Sequence, residues 1–321
     1  MREVTSRESA HPVLVTGAAG AVGGVARTVV SLLREAGLPV RAMVRVDDAR
    51  AATLRALGAE VVVGDLTRPS DVARALDGCR RVLFSMSVSP SYLEASVTVA
   101  TVARALADLE VLVDISQMTV SQMTPRSTEE SRQQRLHWLA EQVLDWSGLP
   151  AVHIRPTMFL ENPMLTMLIA RPVAEEGTIP LPFGSGRTSP VAAGDVAGVV
   201  AAVLEDPGPH VGRVHELTGP RSQDMNGVAQ EFSRALGRRI TYTDLSVDTW
   251  VEQYLSPSGL PAHVAAHLTT MARLHRLNRY DRCTDAVEAI TGRPAEPVEE
   301  FVARHRELYT GEGLPAPGPR R

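Results

Sequence analysis

The chain has 321 residues, a length that accommodates one large α/β domain or a Rossmann-sized domain with a smaller partner. Hydrophobic residues make up 44% and charged residues 22%, ordinary for a soluble globular protein rather than a disordered one, and a formal net charge of −4 argues against nucleic acid as a default partner. Lysine is absent, so all 33 basic side chains are arginine; Schiff bases, lysine general bases and the GxxxxGK[ST] phosphate loop are thereby excluded, because guanidinium does not give up its proton.

In chain order, residues 1–11 read as a tail without a signal-peptide apolar stretch, and no later apolar run reaches the ~18 residues of a membrane span, so a cytoplasmic protein without membrane contact is expected. From residue 12 to 156, short apolar runs alternate with amphipathic stretches, the signature of repeated βα units and a parallel sheet. Strands are predicted at Val13–Thr16, Val40–Val44, Glu60–Val63, 81–85, Val111–Ile115 and 149–154, with helices at 22–36, 48–57, 70–76, Tyr92–Leu106 and 129–146. Gly37, Gly58, Gly78 and Gly148 serve as helix stops. Residues 157–311 are predicted as a small, mainly helical lobe: 179–190 carries Pro and Gly punctuation, 190–220 returns elements to the Rossmann sheet, and helices follow at 194–204, Met225–Leu236, 247–254, 263–277 and 298–309. Residues 312–321 read as a frayed tail. Cys79 and Cys283 have neither a CxxC spacing nor a His partner, so neither a disulfide framework nor a zinc module is expected. The fold class is therefore α/β, a doubly wound parallel sheet with a C-terminal substrate lobe.

The segment Thr16 to Gly24 (TGAAGAVGG) leaves the first strand and opens a helix, which turns a weak GxxGxxG pattern into a dinucleotide site. Gly17 permits the tight turn, Gly20 lets backbone approach the pyrophosphate, and Gly23 lets helix pack on strand; Thr16, Ala19, Ala21 and Val22 complete the cradle at the helix N-terminus. The second strand ends at Arg45 rather than at an acid, which suits a 2′-phosphate, and Arg50 follows; NADP(H) is therefore expected ahead of NAD(H). Asp47 and Asp48 either turn to a ribose or cap the next helix. Asp65 and Leu66, after the third strand, are candidates to meet the adenine, with a simple turn role for Asp65 as the alternative. Ser85, Met86 and Ser87 line the fourth strand's exit, while Pro156, Thr157, Met158, Phe159 and Asn162 follow the sixth strand where such sheets bind ligands.

Several motifs in order resemble the NmrA-like branch of the atypical short-chain dehydrogenase/reductases: TGAAGAVGG, Val44-Arg45, Gly64-Asp65-Leu66, the run Ile154 to Asn162 (IRPTMFLEN), Ser189-Pro190-Val191 with Gly194-Asp195-Val196-Ala197, and Glu216 to Pro220 (ELTGP). The resemblance reaches to about residue 310. It implies an NADP(H)-binding Rossmann domain with a substrate lobe, in a family of quinone and isoflavone-type reductases, tailoring enzymes and redox-sensing regulators. The wider superfamily moves its proton with a serine near the fifth strand and a Tyr and Lys four apart on the next helix. Ser116 matches that serine, and the resemblance puts His137 and Glu141 in the Tyr and Lys places. Four residues apart, these two share a helix face, where the carboxylate can hold the imidazole for general-acid work; a structural pair without chemistry is the alternative.

Other groups point less far. His263 and His267 have the spacing of two zinc ligands but lack the Glu of HExxH and a third ligand, so no metal is expected. Arg273, Arg276, Arg279 and Arg282, with His275, form a basic cluster suited either to an anion or to a solvated helix end. Met118, Met158, Asn162, Trp250 and Tyr254, with Tyr280, are candidates to shape an apolar substrate pocket or to pack in the core. The leading expectation is an NAD(P)H-dependent oxidoreductase acting on a quinone-like or conjugated small molecule. The alternatives are an NADP(H)-sensing regulator with a protein partner, and a redox-neutral cyclase or isomerase on the same fold.

Overall fold

The computed structural model describes residues 11–20 and 24–311. The expected tails up to residue 10 and over 312–321, together with Ala21, Val22 and Gly23, lie outside the described residues. In chain order the elements are β1 (Val13–Thr16), α1 (Val25–Glu35), β2 (Val40–Val44), α2 (Ala49–Ala56), β3 (Glu60–Val63), α3 (Pro69–Leu76), β4 (Arg81–Phe84), α4 (Tyr92–Leu106), β5 (Val111–Ile115), α5 (Arg132–Ser147) and β6 (Ala151–Pro156). They continue with α6 (Met167–Glu176), β7 (Thr178–Leu181), α7 (Ala193–Glu205), β8 (Val214–Leu217), α8 (Met225–Leu236), β9 (Thr241–Asp244), α9 (Val247–Trp250), α10 (Ala262–Arg276), α11 (Ala286–Thr291) and α12 (Val298–Arg304).

Seven strands form one sheet in the order β3-β2-β1-β4-β5-β6-β8, and the pairs from β3 through to β6 are all parallel. β1 and β5 are buried almost throughout, as central strands covered on both faces must be, and apolar but for Thr16 and Asp114, whereas the edge strand β3 is partly exposed. α1 buries Val25, Ala26, Val29, Val30 and Leu33, a stripe at helical period. The expected stops Gly37, Gly58, Gly78 and Gly148 all take positive φ. The strand order reverses between β1 and β4, which sets the ligand crevice at the carboxyl ends of those two strands.

The chain divides into two compact units. The first comprises residues 1–116, 136–154 and 197–215, the second 117–135, 155–196 and 216–321. The first unit's core gathers Leu14, Val82, Phe84, Tyr92, Leu112 and Leu144; the second unit's gathers Ile169, Phe183, Phe232, Trp250, Phe301 and Tyr309. Within the second unit lie elements that the apolar pattern does not announce. β7 and β9 pair in parallel as a two-stranded sheet, and Pro180 is tolerated there because β7 has a free edge. α6 runs through Pro172, and the stretch predicted as one helix at 247–254 is α9 followed by a π-turn over Val251–Leu255. Among the described residues no helix is long and apolar enough to cross a membrane.

Candidate functional site

At the switch point the Thr16 side chain joins the ends of β1 and β4: its Oγ1 donates to Ser85 O at 2.9 Å and accepts from Ser85 N at 2.9 Å. Gly17 follows with φ +74°, and a Cβ there would stand 2.5 Å from Ser85 O. Only glycine fits both the left-handed backbone and that approach. Gly20 N then donates to Gly17 O at 2.9 Å, closing the turn, and a Cβ on Gly20 would lie 3.4 Å from the exposed Ser87. Gly24 opens α1 with φ 65° and no side-chain cap, and the first turn carries no acid, so the helix end meets a ligand with bare amides and its positive dipole. A turn with glycine at positions 17, 20 and 24 and no capping side chain at the helix start suits a pyrophosphate.

At the next βα junction, the two acids that compete with a cofactor phosphate are already engaged. Asp47 accepts two hydrogen bonds from Arg55 at 2.7 and 2.8 Å, and Asp48 caps α2 while pairing with Arg50 at 2.6 Å. The hydrogen bonds from these arginines hold both carboxyls below their ordinary range. Arg50 also donates to Ala19 O at 3.0 Å, tying this junction to the glycine turn. Arg45 extends into solvent, its side chain 74% exposed and 3.9 Å from Asp65 Oδ2. Asp65 closes an Asx turn, accepting from Thr67 N at 2.9 Å and Thr67 Oγ1 at 2.8 Å, and these bonds lower its carboxyl. Leu66 and Met86 pack against the first unit's core.

The end of β5 carries Ser116, 4% exposed, whose Oγ is buried without a hydrogen-bond partner among the described residues. A buried hydroxyl left so is costly unless a ligand or water completes it. On α5, His137 is 8% exposed and its ring centroid lies 4.1 Å from that of Tyr92. Glu141, one turn further on, is 1% exposed and sits with Asp114 and His153, their ligating atoms all within 4.8 Å of one another. Asp114 Oδ2 meets His153 Nδ1 at 3.1 Å, Asp114 Oδ1 accepts from Tyr92 OH at 3.3 Å, and His153 Nε2 meets Asp145 Oδ1 at 3.1 Å. Both ring nitrogens face carboxylate oxygens, so His153 is an imidazolium rather than a metal ligand with a free lone pair. Burial alone would lower His153, but the hydrogen bond and charge of Asp114, with Glu141 and Asp145 assisting, raise it to about 9; burial raises Asp114 and Tyr92. The sequence pattern singles out none of Tyr92, Asp114, Asp145 and His153 as a site residue, although an Asp within VLVDI and a His within AVHIRP are polar residues in buried strands and mark the place.

The second unit holds the remaining predicted residues. Pro156, Thr157, Met118 and Met158 are buried, Phe159 bridges to Val191, and Asn162 Oδ1 accepts from Met164 N at 2.9 Å. Thr157 Oγ1 is buried without a partner among the described residues. Trp250 lies wholly inside the unit's core, and Tyr254 packs partly buried against it. The pair at zinc-ligand spacing separates: His263 is exposed, while His267 is buried with Nδ1 2.8 Å from Ser131 Oγ, and burial lowers it to about 4. The basic cluster does not form an open patch, since Arg276 pairs with Asp244 at 2.8 Å, Arg279 with Glu130 at 3.1 Å and Arg282 with Glu216 at 2.6 Å. His275 is buried, stacked between the Phe183 and Tyr280 rings.

A parallel sheet reversing at β1/β4, with a glycine cradle at that point, defines a dinucleotide-binding Rossmann protein. A family model described as NAD(P)H-binding matches residues 20–207. The chain is 31% identical over 300 residues to the (4-alkanoyl-5-oxo-2,5-dihydrofuran-3-yl)methyl phosphate reductase of Streptomyces griseus, covering 94% of this chain and 100% of that protein. It is 29% identical over 299 residues to the NAD(P)H azoreductase of Xenophilus azovorans, covering 92% and 99%. The NADPH-dependent quinone oxidoreductase of Escherichia coli, crystallised with NADPH, shares the fold with a TM-score of 0.78 at 24% identity over 92% of this chain and 99% of that one. The transcriptional regulator NmrA, crystallised with NADP, does so with a TM-score of 0.79 at 17% identity, over 96% and 99%. The chain belongs to the NAD(P)H-binding family.

Proposed function

We propose that this protein is an NADPH-dependent reductase of a quinone-like or otherwise conjugated small molecule, with His137 as the proton donor. The observation that carries the reading is full-length similarity to two reductases, the azoreductase and the dihydrofuranyl phosphate reductase. The glycine cradle holds the pyrophosphate and Arg45 grips the 2′-phosphate, for which Asp47 and Asp48 no longer compete. Bound NADPH supplies a hydride. Reduction of a quinone to a hydroquinone takes one hydride and one further proton, and with no lysine in the chain a histidine is the natural candidate to supply it. We assign the donor role to His137, which is buried beside Tyr92, and Ser116 offers its uncommitted hydroxyl to a substrate oxygen.

Mixing the protein with NADPH and a panel of quinones and azo dyes tests this. Acceptor-dependent loss of NADPH absorbance is expected, and His137→Ala should abolish it while leaving the Kd for NADPH unchanged; full activity in that variant removes His137 from the chemistry. The missing Tyr/Lys pair, and the fold shared with the regulator NmrA, favour a second reading, a cofactor sensor. Tight NADPH binding without oxidation by any acceptor would select it.

A further inference from the structure

The turn that follows β3 is held by groups outside it. Gly64 N donates to Val44 O at 2.9 Å as the chain leaves the sheet, and the backbone groups on either side of Gly64 then find their partners on α3. Val63 O accepts from Arg74 Nη2 at 2.9 Å, and Asp65 N donates to Asp71 Oδ2 at 3.0 Å. Arg74 Nη2 also donates to Asp71 Oδ1 at 2.9 Å, so one ion pair closes both ends of the turn. Asp71 stands in the first turn of α3, where an acid usually reaches back to the cap residue. Here the cap's own Arg68 N already donates to Asp65 O at 3.0 Å, and the Asp71 carboxylate crosses to Asp65 instead. The hydrogen bond from Asp65 N holds the Asp71 carboxyl below its ordinary range. A Cβ on Gly64 would stand 2.7 Å from Met43 Cε and 2.9 Å from Asp71 Cβ, so turn and helix are pressed together. Stability does not call for this clamp, because the Arg74 side chain is 57% exposed and exposed ion pairs contribute little. What the clamp fixes is Asp65, which commits Oδ1 to Thr67 and leaves Oδ2 without a hydrogen bond among the described residues, 3.9 Å from Arg45.

We propose that Asp71, held by Arg74, is a positioning residue for the cofactor: it fixes the turn at residues 64–66 so that Asp65 Oδ2 accepts from the exocyclic amino group of the adenine. This rests on the reading of Asp65 and Leu66 as the adenine's neighbours. A hydrogen bond to a carboxylate is strong, but only over a narrow span of distance and angle, and a small swing of the turn forfeits it. Asp71 thereby gives the site selectivity for the base without touching the cofactor, and neither the glycine turn nor Arg45 depends on it.

Fluorescence titrations with NADPH and with its hypoxanthine analogue, in which a carbonyl replaces the amino group, isolate this contact and need no turnover. The parent protein should bind NADPH about tenfold more tightly than the analogue. Asp71→Ala should lose that preference, its Kd for NADPH rising about tenfold while its Kd for the analogue barely moves. Asp71→Asn keeps an oxygen for Asp65 N and should hold the preference to within about threefold, and Arg74→Ala should reduce it by about the same factor. Equal losses for the two cofactors in Asp71→Ala, or an unchanged preference there, would overturn the positioning role. Equal affinities in the parent protein, or a full preference in Asp65→Ala, would instead take the adenine off this turn and remove the reading beneath. Should Asp71→Ala not fold, the surface change Arg74→Ala decides, and an unchanged preference in it overturns the clamp.

Discussion

The glycine turn and the buried ionic cluster belong to the same unit and work in opposite ways. The turn depends on what its residues lack: at Gly17 a single Cβ would sit 2.5 Å from Ser85 O, so no side chain fits there. The cluster functions through side chains that come from α4, β5, α5 and β6, each stabilising a charge that would otherwise be stranded. The turn is therefore intolerant of added atoms and the cluster intolerant of removed ones. Binding and stability should fail separately in the two places.

The largest effect is expected from His153→Ala. Removing the imidazolium leaves Asp114 buried beside Glu141 without its cation, a loss of about 3–5 kcal/mol by the precedent of broken buried pairs. Denaturant unfolding reads it directly, and the surviving folded fraction should bind NADPH normally. Gly17→Ala should do the reverse. The left-handed φ and the clash with Ser85 O should raise the Kd for NADPH by two to three orders of magnitude, about 3–4 kcal/mol, with a smaller change in unfolding free energy. A calorimetric titration showing near-parental affinity would remove the close backbone approach from the account of this turn.

The same contrast explains what was legible in the sequence. The strands β1, β2, β3 and β5, the helix stops and the tight turn at Gly17 follow from consecutive residues, so they could be placed from pattern alone. The cluster spans Tyr92 to His153, and nothing local announces that β5 and β6 bring Asp114 beside His153; only the register does. In the second unit, the basic run from Arg273 to Arg282 looked like one feature in the sequence. Its carboxylate partners Asp244, Glu130 and Glu216 lie 32, 149 and 66 residues away from the arginines they neutralise. β7 and β9 escaped because Pro180 reads as punctuation unless the strand is known to have a free edge.

Acidity should separate the two units by pH. In the second unit burial raises Glu161 from its ordinary 4.5 to about 7, although both its oxygens accept from Ala193 N. The fold thus prefers the protonated acid: its contribution is complete below about pH 4.5 and is lost as pH rises through about 7, amounting to about 3 kcal/mol. In the first unit His153 is raised from 6.5 to about 9, so its contribution is complete below 6.5 and is lost as pH rises through 9. Hydrogen exchange followed from acid to alkaline pH should loosen the Glu161 region first and the β5–β6 region later. Glu161→Gln should flatten only the first of these transitions; loosening of both regions in one step would mean that the two units share a single ionic control.

The smallest effect concerns the cofactor's 2′-phosphate and tests how far the turn's region depends on charge at all. Arg45 is 74% exposed, so its attraction to a phosphate acts largely through water and is worth about one factor of ten, or about 1.4 kcal/mol. Arg45→Ala should therefore weaken NADPH about tenfold and leave NADH unchanged, since NADH has no phosphate to lose. The ion pair to Asp65, 3.9 Å long, does not bind Arg45 tightly enough to compete with a doubly charged phosphate. Added salt should shrink the difference between the two cofactors in the parent protein, because exposed charges are screened within a Debye length of about 8 Å at physiological ionic strength. Equal losses for NADPH and NADH in Arg45→Ala would place the guanidinium on the adenine or ribose rather than on the phosphate, and the preference would then have to come from Arg50, which is held against Ala19 O and Asp48 at the same junction.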